Sequence, residues 1–191
     1  MRKLKNNLLL ILLFCVIVGC SSSPRHLGDP PVESSWNEQL KQKLPLLGHR
    51  NWILVVDKAY PAPASKNILV IDTEKQLQEV LDTVLAQLGK QAHLRPIFYA
   101  DKELDYLDEG IAPGLKTYKE NLAKLLAKVK VSPLLHDEVF GKMDKAAQLF
   151  DVIVLKTESL LPYSSVFIEL DCKYWDADRE KILRDRMGHY K

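Results

Sequence analysis

The chain has 191 residues, of which 47% are hydrophobic and 27% charged, with a formal net charge of +2. That length suits one main domain with a short appendage, and the composition excludes a mostly disordered chain, a collagen and a polytopic membrane protein. Three positive charges (Arg2, Lys3, Lys5) lie in the first five residues, and the remainder carries 24 basic against 25 acidic residues, too even a balance for a nucleic-acid partner.

The first element is an address. Arg2, Lys3 and Lys5 form a basic start, and Leu8 to Val18 is an unbroken apolar run of 11 residues. A spanning helix needs about 20, so the run reads as a secretory signal. It ends at Ile17-Val18-Gly19-Cys20, which resembles a bacterial lipobox. Residues 1–19 are therefore expected to be a lipoprotein signal peptide, with Cys20 lipidated after cleavage. In the lipoprotein pattern, Ser21 behind Cys20 favours the outer membrane, facing the periplasm. Several acyl chains hold such a protein firmly, at about 0.8 kcal/mol per buried methylene. Residues 20–35 are rich in Ser, Pro, Gly and Asp and read as a flexible tether.

The domain is expected over 36–172, as alternating helices and strands. Trp36 to Leu47 is a short amphipathic helix interrupted near Pro45. Trp52 to Val56 is a continuous apolar run, as in a strand buried on both faces. Lys58 to Lys66 carries two prolines and reads as a loop, and Asn67 to Ile71 as a second strand. Leu77, Val80, Leu81, Val84, Leu85 and Leu88 then fall on one helical face. Thr73 and Gln76 have the form of a capping box, and Gly89 that of a helix stop. Arg95 to Ala100 is a strand, and Pro113 to Val129 and 134–149 are helices. Val152 to Leu155 and Val166 to Leu170 are further strands. Asp176 to Met187 is a charged helix within a C-terminal extension, 173–191. Such alternation predicts an α/β domain: three α/β/α layers around a largely parallel or mixed sheet.

Only Cys172 remains free of the leader, so no disulfide is expected within the domain, and the five His show no zinc spacing. GxGxxG, GxxxxGK[ST] and GxSxG are all missing. The candidate chemistry lies around the first strand, with Leu47-Gly48-His49 before it and Asp57 at its end. Ligands of open α/β sheets bind outside the carboxyl ends of strands. Histidine moves protons near neutral pH, and a carboxylate beside it fixes its tautomer.

Leu47-Gly48-His49, the apolar strand, and Asp57-Lys58-Ala59-Tyr60-Pro61 resemble the D-ribose pyranase and L-fucose mutarotase family (RbsD/FucU). Its members carry Gly-His, an apolar strand, and an Asp eight residues after the His. A second similarity lies in Lys156-Thr157-Glu158, then Pro162-Tyr163-Ser164-Ser165 and the strand Val166-Phe167-Ile168.

The resemblance implies an RbsD-like fold and a cofactor-independent enzyme that opens and recloses sugar rings, interconverting pyranose with furanose or one anomer with the other. It implies His49 as the principal acid/base and Asp57 as its orienter or a binder of sugar hydroxyls. Tyr163, Ser165, Lys58 and His136 are the substrate-binding candidates, and a monosaccharide is the expected ligand. It also implies a homo-oligomer, a pentamer or decamer, with sites completed by a neighbouring subunit. There are departures. Ser165 stands where the family has Asn, Thr157 where it has Gly, and Lys58 where it has a small residue. His136 is the nearest match to a histidine of the pyranase branch. Three readings stay open: a tethered monosaccharide mutarotase, a non-catalytic carbohydrate-binding lipoprotein, and a scaffold that keeps only the fold.

Overall fold

The computed structural model describes residues 34–188. The expected signal peptide, the expected lipidation site Cys20, the expected tether as far as Glu33 and residues 189–191 of the C-terminal extension lie outside the described residues.

The first elements are helix α1 (Trp36–Lys43), a 3-10 turn (Leu44–Leu46) and strand β1 (Trp52–Val56), followed by β2 (Ile68–Asp72) and helix α2 (Leu77–Gly89). Next come β3 (Leu94–Asp101), a second 3-10 turn (Lys102–Tyr106), α3 (Leu115–Leu125), β4 (Val131–Leu134) and α4 (His136–Ala147). Strands β5 (Val152–Lys156) and β6 (Val166–Cys172) complete the sheet before α5 (Ala177–Gly188). The sheet order is β2-β5-β1-β6-β3-β4. Strand β5 runs parallel to both β1 and β2, β3 runs parallel to β4, and β6 runs antiparallel to both neighbours, β1 and β3. Five strands therefore point one way and β6 alone opposes them. This is the mixed form of the expected α/β sheet.

Burial explains the central position of β1, whose five side chains are all enclosed. Ile53 and Val55 face a core shared with Leu40 of α1, Val80, Leu81 and Val84 of α2, and Leu115 and Leu122 of α3. Trp52, Leu54 and Val56 face a second core with Val139 and Met143 of α4. Alternate side chains of a strand point to opposite faces, so an unbroken apolar run belongs between two helical layers. Each such side chain contributes about 1.5–3 kcal/mol by its burial. Trp52 stacks on Tyr99 at 5.6 Å between centroids, within the core as its apolar neighbours suggest.

Three local expectations need correction. Thr73 caps nothing: its hydroxyl donates to the Lys156 carbonyl at 2.7 Å, and α2 begins after Gln76 without a side-chain cap. Gly89 is the last residue of α2, and Lys90 ends the helix in an ordinary right-handed conformation. Strand β4 was not anticipated. Its four residues include Pro133, which lacks an N–H, and it lies at the sheet edge, where proline is tolerated.

Candidate functional site

The strand directions bring six segments to one end of the sheet: the carboxyl ends of β1 to β5 and the amino end of β6. Asp57 follows β1, Asp72 ends β2, Asp101 ends β3, His136 follows β4, Thr157 and Glu158 follow β5, and Ser165 precedes β6.

Asp57 is held from both sides. One carboxylate oxygen accepts the Ala59 N–H at 2.9 Å, a turn of the kind Asp forms two residues ahead of itself. The other accepts the Ser165 hydroxyl at 3.1 Å, and the Asp57 N–H lies 3.3 Å from Ser165 Oγ. The loop 157–165 is pinned beneath this pair. Thr157 Oγ1 donates to the Val56 carbonyl at 2.7 Å, and Ser164 Oγ donates to the Leu161 carbonyl at 2.8 Å. The Tyr118 hydroxyl reaches from α3 to the Ser164 carbonyl, and burial pushes that phenol well above its ordinary range.

Tyr163 adopts a left-handed backbone with φ of 55°. A side chain there costs roughly 1–2 kcal/mol, and such strain concentrates at binding sites. The Tyr163 ring meets the His136 ring edge-on at 5.3 Å, and Phe140 flanks His136 at 4.7 Å. His136 opens α4. Both oxygens of Glu103 lie 3.1 Å from its backbone N–H, and its Nδ1 lies 3.0 Å from Asp101 Oδ1. Asp101 is 2% exposed, and its Oδ2 has no hydrogen-bond partner. Burial pushes its carboxyl above the usual carboxylate range, partly offset by the His136 hydrogen bond and charge. Glu103 and Asp57 push it the same way as burial does, which places Asp57 within electrostatic reach of the pair.

Asp57, His136, Tyr163 and Ser165 therefore gather at one end of the sheet, and the other two candidates behave differently. Lys58 lies at the same end but is engaged by other carboxylates, donating to Glu158 at 2.6 Å and to Asp72 at 3.0 Å. Those contacts raise its pKa, with the Glu158 hydrogen bond the largest cause. His49 sits at the amino end of β1, exposed, with Nε2 3.6 Å from Asp171 at the close of β6. Five residues of strand, roughly 16 Å at 3.3 Å per residue, separate it from Asp57. One chain does not bring His49 and Asp57 together.

Asp101 and Glu103 were not among the sequence candidates. A signal for Asp101 existed: it ends an apolar strand just as Asp57 does. The cluster forms a partly exposed shelf, with Tyr163 36% exposed and the His136 side chain 34% exposed. Five depressions elsewhere on the surface, including an apolar one of about 440 Å³ between α3 and β3 that touches Asp101, have none of Asp57, His136 or Tyr163 in their walls. No group of side chains suited to a metal ion occurs among the described residues.

No family model matches the sequence, and no curated protein matches it. Solved structures match the fold. RbsD of Bacillus subtilis, determined with D-ribose, superposes with a TM-score of 0.52 at 18% identity, over 71% of this chain and 93% of that one. The chain has the RbsD fold. The fucose mutarotase of Streptococcus pneumoniae, determined with L-fucose, is similar at a TM-score of 0.49 and 14% identity, over 73% of this chain and 97% of that one. The expected RbsD-like architecture is thus the observed one. Within this RbsD fold, the carboxyl ends of β1, β3 and β4 carry Asp57, Asp101 and His136, and the loop before β6 adds Tyr163 and Ser165.

Proposed function

We propose that this protein is a monosaccharide mutarotase, opening and reclosing sugar rings by proton transfer alone. The observation that carries the reading is the pairing of His136 with Asp101 beside Asp57 and Tyr163. The RbsD fold and the D-ribose bound to its solved neighbour from Bacillus subtilis support it.

The chemistry requires little. A base takes the proton of the anomeric hydroxyl, the bond from the anomeric carbon to the ring oxygen breaks, and a carbonyl forms. The departing ring oxygen then takes a proton. The two oxygens share one carbon, so a single imidazole can take the first proton and return it to the second. His136 Nε2 serves that role, since Nδ1 is engaged by Asp101. Asp57 accepts sugar hydroxyls on its remaining lone pairs, and the Tyr163 ring packs against the sugar. Closure reverses the transfers on either face of the carbonyl. Protons balance, and no cofactor enters.

His49, the acid/base that the resemblance implies, enters this scheme from a second copy of the chain, which a pentamer or decamer provides, and shares the proton transfers with His136. The distance between His49 and Asp57 within one chain supports that assembly. Lipidation of Cys20 then tethers the assembly to the bacterial envelope, at the outer membrane and facing the periplasm. The basic start, the short apolar run and the lipobox support the anchor. Radioactive palmitate labels the full chain and fails to label Cys20→Ser if the anchor is real; equal labelling of both refutes it.

A second reading has its own observation. Ser165 spends its hydroxyl on Asp57, and a shelf with that contact closed inside the protein suits binding without turnover. Exchange NMR on the protein with ribose, fucose, galactose and glucose separates the readings. Accelerated exchange between anomers or ring forms, lost in His136→Ala, supports the mutarotase. Sugar-induced shifts without acceleration support the binding protein, and neither response leaves a scaffold.

A further inference from the structure

The Asp101 carboxylate poses a question that sugar binding does not answer. Its side chain is sealed from solvent, one oxygen engages His136, and the other has no partner. A buried, half-satisfied carboxylate costs the fold free energy. Enclosed as it is, Asp101 does not touch a bound sugar, so any function it has must pass through the side chain it contacts.

That side chain is His136, itself only 34% exposed. Three further contacts set the ring in place. Glu103 holds the His136 backbone N–H, Phe140 packs along the ring, and Tyr163 meets it edge-on. None of them addresses a ring nitrogen. Asp101 alone does, and a carboxylate accepts hydrogen bonds and donates none when ionised. An imidazole beside it keeps its proton on Nδ1 and leaves Nε2 as the atom free to exchange protons. The ionisable groups facing the pair are Asp57 after β1, Tyr60 in the next loop, Glu103 after β3, Tyr118 on α3, and Tyr163. In this setting a second carboxylate next to Asp101 raises the cost of its charge, and His136 is the group that offsets it.

We propose that Asp101 is the positioning residue of His136, holding the imidazole in the Nδ1-protonated tautomer so that Nε2 can relay protons to a ligand on the shelf. This rests on the mutarotase reading for the identity of the ligand, but the tautomer is a property of the protein alone. Asp101→Asn is the decisive variant, because its amide can donate to Nδ1 and so favour the opposite tautomer while keeping the side chain's shape.

Two readouts test it on the full chain, detergent-solubilised where the anchor is present. Nitrogen-15 NMR of the His136 ring is expected to show Nδ1 protonated in the wild type and Nε2 protonated in Asp101→Asn. Sugar exchange kinetics are expected to show kcat lower by about a hundredfold or more in the variant, with KM within about twofold. His136→Ala supplies the baseline. A wild-type ring protonated on Nε2, or an Asp101→Asn protein with wild-type kcat, overturns the proposal. A wild type that accelerates no sugar defeats the mutarotase reading instead, and the ring tautomer still decides whether Asp101 sets it.

Discussion

At the scale of single residues, Asp101 sets function against stability. Burial holds its carboxyl above the usual range, so the folded state disfavours its charge. Below the unfolded value, about 3.9, both states are protonated and no penalty exists. The penalty grows as pH rises through the folded value and is fully present at neutral pH. Asp101→Asn is therefore expected to unfold at a higher temperature than wild type at pH 7, with the gain shrinking as pH falls toward 4. Thermal unfolding at several pH values checks this, and a lower Tm at pH 7 would mean that the His136 contact outweighs the desolvation. Tyr163 makes a parallel case. Asparagine tolerates the left-handed backbone that tyrosine strains to adopt. Tyr163→Asn should leave stability within about 1 kcal/mol by denaturant unfolding, while sugar affinity falls in titration NMR. Unchanged affinity would remove Tyr163 from the site.

At the scale of elements, the legible parts were those with long periodic or unbroken apolar patterns. The run from Trp52 to Val56 and the stripe on α2 announced themselves because burial on two faces, or on one, leaves a mark at fixed spacing. The same logic makes Leu54, fully buried in β1, a firm test: Leu54→Ala should cost about 2–5 kcal/mol by chemical denaturation. What escaped was β4, four residues with a proline and no clear alternation. That omission hid the site's key pairing. The parallel register sets Asp101 opposite Leu134, so His136, two residues on, arrives beside the carboxylate. Without β4 in view, His136 was a candidate by resemblance alone, with no partner, and Asp101 lay just beyond the expected strand Arg95 to Ala100. His49 shows the converse. Its spacing from Asp57 is legible along the chain, yet a strand sets its two flanks apart, so proximity in sequence became separation in space.

At the scale of the whole molecule, that separation makes a prediction about assembly. If each shelf takes His49 from a neighbouring copy, His49→Ala and Asp57→Ala chains are both inactive alone. Refolded together, they form some shelves with both residues intact and regain part of the activity in the sugar exchange assay. Mixtures that stay inactive while each variant still oligomerises would confine catalysis to single chains. Helix α5 adds little to the fold. Its described side chains bury nothing, and its ion pairs, such as Arg184 with Glu180 at 2.6 Å, are local to the helix.

The lone antiparallel strand has a consequence for the order in which the molecule is made. Strand β6 is the last strand among the described residues but lies between β1 and β3, joining a half made of β2, β5 and β1 to a half made of β3 and β4. During synthesis the two halves therefore wait with their inner edges unpaired until residue 172 emerges, and an open edge is a template for pairing with other chains. Nascent protein stays sensitive to proteases and chaperones for almost its whole length, then closes in one late step. A chain stopped at Ser165 should be degraded or aggregate, whereas one stopped at Lys173, lacking only α5, should survive limited proteolysis. The timing of β6, rather than the strength of any one contact, decides whether a newly made copy becomes a sheet or a liability.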